Sequence, residues 1–139
     1  MIAWSRPHAA PARSPPSFRR RRQPACRRPD VTNGDQAAAA VQAAVDKFGR
    51  IDVLVNNAGR GLLGAVEEAS DASARAVYQV NVFGTLTMQR AVLPIMRRQR
   101  SGHIINISSV GGLLGSAGWG VYCSTKSAME GFSKRWPRK

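Results

Sequence analysis

Tyr122 and Lys126 stand four residues apart in VYCSTK. If the chain is helical from Tyr122 onward, positions i and i+4 share one face and the two side chains point the same way. A free tyrosine titrates near pH 10 and is a poor acid or base at neutrality. An ammonium about 5 Å away contributes roughly 3 kcal/mol at an effective dielectric near 20, favours the phenolate, and brings a tyrosine within range of proton transfer. By themselves these residues are equally a surface Tyr and Lys on an ordinary helix. Their weight comes from their company. Ser109 lies thirteen residues before Tyr122 at the end of an apolar stretch, Asn56-Asn57-Ala58-Gly59 closes another, and Asn81 sits between them in VNVFG.

The elements that must position these groups follow from periodicity and punctuation. Asn33 with Gln36 three residues on reads as a capping box, and Val41, Val45 and Phe48 mark the apolar stripe of a helix over about 35–48 that Gly49 ends. The run 51–56 (IDVLVN) is continuously apolar, as expected of a strand buried on both faces in a parallel sheet. Gly61 and Gly64 act as hinges in a loop, 60–68, that reads as a wall of the site. Residues 68–98 read as one long helix interrupted near Asn81, with Pro94 kinking its last stretch or breaking its register. An Asn there costs well under ~1 kcal/mol in helix propensity, so a tolerated surface residue is the bland alternative. After Gly102 comes a strand over 103–108, then a glycine-rich loop, 110–121, that directs Leu113, Leu114 and Trp119 toward the pocket.

This ordered set resembles the short-chain dehydrogenase/reductase family, which carries N-N-A-G after its fourth strand, an Asn in the next long helix, a Ser after its fifth strand and Y-x-x-x-K on the following helix. The resemblance covers about residues 30–133 and implies an α/β fold: a partial Rossmann-like, doubly wound parallel sheet, with central strands and helices only. It further implies an NAD(P)-dependent oxidoreductase that interconverts a carbonyl and an alcohol by hydride transfer. Tyr122 is then the acid/base, Lys126 its cationic partner and a ligand of the cofactor ribose, and Ser109 the holder of the substrate oxygen. The spacing to Tyr122 selects Ser109 over Ser108, which is expected to make a structural hydrogen bond. The Asn81 carbonyl would hold a water against the lysine. Asn56, Ala58 and Gly59 would lie beside the adenosine and ribose, a role compatible with tying down the strand end. Asp30 matches the acidic residue that contacts the adenine. NAD and NADP are not distinguished. Helices 68–98 and 122–135 match those of the family's dimer interface and imply a homo-oligomer. The alternative is a catalytically inactive truncated fragment or interaction module of the same family.

With 139 residues the chain has room for one domain. Its net charge of +13 is concentrated in the tails: residues 1–30 hold eight arginines and one aspartate, and 134–139 add four cations, leaving nine basic and seven acidic groups in 31–133. The globular part is therefore not expected to bind nucleic acid. Residues 1–29, with six of the eight prolines and no glycine, are expected to be disordered. For this segment a basic arm and a transit peptide compete with a shifted frame or wrong start. The last is preferred, because the first glycine is Gly34 and no T-G-x-x-x-G-x-G phosphate loop precedes the resemblance. The division is thus 1–29, a domain over 30–133, and a basic tail 134–139. Two cysteines without C-x-x-C fit a reducing, cytoplasmic setting; neither histidine has ligand partners, and no apolar run suits a membrane span.

Overall fold

The computed structural model describes residues 29–134 together with the backbone of residues 2–4. Three strands form one sheet in the order β1 (Ile2–Trp4), β2 (Val53–Asn56), β3 (His103–Asn106). β2 and β3 are parallel, with Leu54 opposite Ile104 and Asn56 opposite Asn106. β1 runs antiparallel to β2, Ile2 opposite Val55 and Trp4 opposite Val53. The disorder expected of residues 1–29 therefore does not extend to residues 2–4. This Ile-Ala-Trp triplet precedes the first proline and meets an otherwise unpaired edge of β2. The readings placed on residues 5–28 and on 135–139 lie outside the described residues.

Helix α1 (Gly34–Phe48) begins where Asn33 accepts the Gln36 N–H and ends at Gly49, whose φ of 75° is the left-handed geometry glycine adopts at no steric cost. The expected capping box is only half formed. The Gln36 side chain accepts from the Asp30 N–H at 3.0 Å, because the Asn33 N–H is already given to the Asp30 carbonyl.

The long helix 68–98 resolves into α2 (Asp71–Tyr78), a π-helical segment Gln79–Gly84, and α3 (Thr85–Gln99). The interruption expected near Asn81 is this π segment. α3, in contrast, runs through Pro94 without a break. Gly84 closes the π segment against Val31; a Cβ there would lie 2.6 Å from Val31 Cγ2. A single short turn, Val110–Gly112, leads to α4 (Gly120–Lys134).

The core lies on one face of the sheet. Ala37 and Val41 of α1 and Met88, Val92 and Met96 of α3 pack with Ile51 and Leu54. Each of the Val, Met, Ile and Leu side chains contributes about 1.5–3 kcal/mol on burial. Strand β2 was expected to be buried on both faces; instead Leu54 and Asn56 are buried and Val53 and Val55 half-buried. The reason is that α1, α3 and, through Ser133 to Asn106, α4 all contact the Leu54/Asn106 side. On the opposite side Ile105 stays 46% exposed. No helix among the described residues is long and apolar enough to cross a membrane.

Candidate active site

A cavity of about 580 Å³ opens where the ends of β2 and β3 meet the N-terminal part of α4. Gly59, Ser109, Tyr122 and Lys126 all line it. Tyr122 and Lys126 share one face of α4, and the Lys126 Nζ lies 5.8 Å from the centre of the Tyr122 ring. Lys126 is only 6% exposed. A buried ammonium needs acceptors, and Nζ donates to the Ile107 carbonyl at 2.8 Å, just past the end of β3. Backbone from the strand end thus sets where this cation sits, leaving two of its three N–H bonds for another partner.

Ser109 Oγ accepts the Gly111 N–H at 3.2 Å, so its own proton remains available for donation into the cavity. Gly111 allows this turn to close on α4. A Cβ there would stand 2.9 Å from Cys123 Sγ and 3.6 Å from a Tyr122 ring carbon. Ser108 does not behave as expected: its buried hydroxyl finds no partner among the described residues, and Gly112 passes so close that a Cβ there would stand 2.9 Å from Ser108 Oγ.

Asn81 is wholly buried, which removes the surface alternative. Its Oδ1 accepts the Arg60 N–H at 2.9 Å, and its Nδ2 donates to the Arg60 carbonyl and to Thr125 Oγ1, both at 3.0 Å. One side chain therefore ties the loop after β2 to α4. The Asn81 carbonyl accepts the Thr85 hydroxyl at 3.0 Å, and a carbonyl has a second lone pair for a water. Gly59 lies beside both groups: a Cβ there would be in ordinary contact, 3.5 Å from Asn81 Oδ1 and 3.8 Å from Lys126 Nζ.

The other expected site residues lie apart from the cavity wall. Asn56 is buried and donates to Asn106 Oδ1 at 2.8 Å, tying β2 to β3; Gln89 donates to the same oxygen. Ala58 packs against the core. Asp30 is exposed and accepts from the Thr32 N–H and hydroxyl, which hold its carboxyl below the ordinary value of 3.8.

Cys123, to which the sequence assigned no place in the site, also lines the wall, as do Asn57 and Arg60, which the sequence marks only as parts of a motif and a loop. Strand alternation was the available signal for Asn57, because Leu54 and Asn56 face the core and the next residue must turn away. The expected wall 60–68 contributes Arg60 and Gly61, stapled to the glycine-rich loop by Gly64 N–H to Gly118 O at 2.8 Å. Trp119 lines the cavity as expected, edge-on to Tyr122 at 5.4 Å between ring centres. Leu113 and Leu114 are exposed outside it. No group of three potential metal ligands occurs among the described residues.

A profile of the short chain dehydrogenase family matches residues 10–139. The chain is 46% identical over 105 residues to 3-ketodihydrosphingosine reductase of Bacteroides thetaiotaomicron, covering 76% of this chain and 39% of that protein. Among solved structures it is similar to a short chain dehydrogenase/reductase from Burkholderia phymatum in complex with NAD. That likeness has a TM-score of 0.74 and 38% identity over 76% of this chain and 38% of the other. It is also similar to ElxO with NADP bound (TM-score 0.72, 38% identity, 74% and 42% covered). The chain thus spans about two fifths of the length of these relatives.

Proposed function

The chain belongs to the short-chain dehydrogenase family, and from that premise we propose that it carries the acid–base half of an NAD(P)-dependent oxidoreductase site that interconverts a carbonyl and an alcohol. The observation that carries this reading is the convergence of Ser109, Tyr122 and Lys126 on one cavity floored by Gly59. The residues present fit the ribose end of a nicotinamide dinucleotide: Lys126 keeps free donors there, and glycine at 59 keeps the wall low enough for close approach. When bound, the nicotinamide supplies or takes the hydride.

In the direction of reduction, Tyr122 gives its proton to the carbonyl oxygen of a small-molecule substrate. Ser109 donates its hydroxyl proton to the same oxygen, stabilising the charge that develops there. Lys126 holds a positive charge beside the phenolate that remains. Asn81 positions Gly59 and Arg60 against α4, and the second lone pair of its carbonyl is suited to a water leading toward Lys126. Asn56 and Ala58 serve the geometry of the strand end, and Asp30 the approach to α1.

Two finer expectations belong with this reading. A second copy would dock on the α2–α3 and α4 faces, where Phe83 is 50% exposed and Tyr78 is hydrogen-bonded to Ser124. A cytoplasmic setting suits Cys123, a buried free thiol.

Purified chain is to be assayed with NADH and NADPH against a panel of aldehydes and ketones. Turnover lost on Tyr122→Phe is the expected result; turnover equal in the two proteins refutes the assignment.

A further inference from the structure

The charge of the cavity wall goes beyond proton transfer. Two cations, Arg60 and Lys126, line the cavity, and no aspartate or glutamate does. Lys126 is engaged by the Ile107 carbonyl. The Arg60 guanidinium has no carboxylate partner among the described residues, whose ion pairs are Arg50–Asp52 and Lys134–Glu130. Glu68, in the same loop, turns back to accept the Ala65 N–H at 2.9 Å.

The backbone of Arg60, unlike its side chain, is immobilised at both ends of its peptide units. Asn81 accepts its N–H and donates to its carbonyl. A fixed backbone with an unspent, planar five-donor fork is suited to bidentate capture of a carboxylate or phosphate. It lines the same concave wall as Ser109, Tyr122 and Lys126, exposed and open to an incoming anion.

We infer that Arg60 forms an anion subsite of this cavity, receiving a carboxylate or phosphate group of the molecule whose carbonyl is presented to Ser109 and Tyr122. The subsite rests on the reaction proposed above for its place in turnover, but its binding does not depend on Tyr122 chemistry. Two sources share this ligand chemistry: an acidic group on the substrate, and a phosphate of the dinucleotide.

The test is calorimetric titration of the full chain and its Arg60→Gln and Tyr122→Phe variants. The probes are levulinate, its methyl ester, inorganic pyrophosphate and NADP. Arg60→Gln keeps the backbone clamp, and circular dichroism checks that it folds. At least tenfold tighter binding of the acid than of its ester, abolished by Arg60→Gln and reduced in 0.5 M salt, supports the subsite and assigns it to the substrate. Arg60-dependent binding of pyrophosphate and NADP, with acid and ester alike, supports it and assigns it to the dinucleotide. Binding of every anion unchanged by Arg60→Gln, or no anion binding at all, overturns it. Tyr122→Phe separates the two proposals. If turnover is insensitive to that change while binding still needs Arg60, the acid–base reading fails and the subsite stands.

Discussion

Replacing Asn81 by alanine tests whether the site is held from beneath. The side chain makes three hydrogen bonds from a position with no exposure: to the Arg60 N–H, to the Arg60 carbonyl and to Thr125 Oγ1. Each net bond is worth about 1 kcal/mol, and a buried partner left alone costs about 1–3 kcal/mol. Arg60 is exposed, so water can reach its freed backbone groups. Thr125 is fully buried but retains its bond to the Tyr122 carbonyl at 2.7 Å. The expected loss is therefore about 2–4 kcal/mol, which at a urea slope of about 1–3 kcal/mol/M moves the midpoint by about 0.7–4 M. Two assays read it. Urea denaturation gives the global cost, and amide hydrogen exchange at Arg60 gives the local one, because that N–H is protected by Asn81 Oδ1 alone. The reasoning is refuted if Asn81→Ala costs under about 0.5 kcal/mol, or if the Arg60 amide exchanges equally slowly in both proteins.

Gly102→Ala is expected to destabilise the chain by about 1–3 kcal/mol. Its φ is 153°, and a Cβ would stand 2.5 Å from Met96 Cγ; thermal unfolding of the two proteins measures the cost. The Asp30 carboxyl is expected to titrate below 3.8 by NMR and to move only part of the way back in Thr32→Ala, because the Thr32 backbone N–H, the larger cause, remains. A depressed folded value contributes stability that is present above 3.8 and disappears as pH falls through the lower folded value, so Thr32→Ala diminishes the acid sensitivity of this corner.

Much of the site was written in local spacing. Tyr122 and Lys126 had to share a face once α4 formed, since four residues is close to one helical turn. Asn33 and Gly49 bounded α1 through chemistry confined to a few neighbouring residues. Two apolar runs ending in small and polar residues marked β2 and β3, and an interruption at Asn81 marked the π segment. None of these needs knowledge of a distant partner, and that is why pattern alone determined them.

What the tertiary structure decided is where polar groups found their partners. Asn56 and Asn57 are chemically identical neighbours, yet one crosses to Asn106 inside the protein and the other faces the cavity. Ser108 and Ser109 divide likewise, the first with its hydroxyl buried and unpartnered among the described residues and the second turned to Gly111 and the cavity. Asn81, equally readable as a surface residue, became a buried clamp between segments 21 and 44 residues away. Composition placed the excess charge in the tails, but only the folded wall set Arg60 in a cavity free of carboxylates. A hydrogen bond depends on direction and on a partner distant in sequence, and both are settled only when the chain closes on itself.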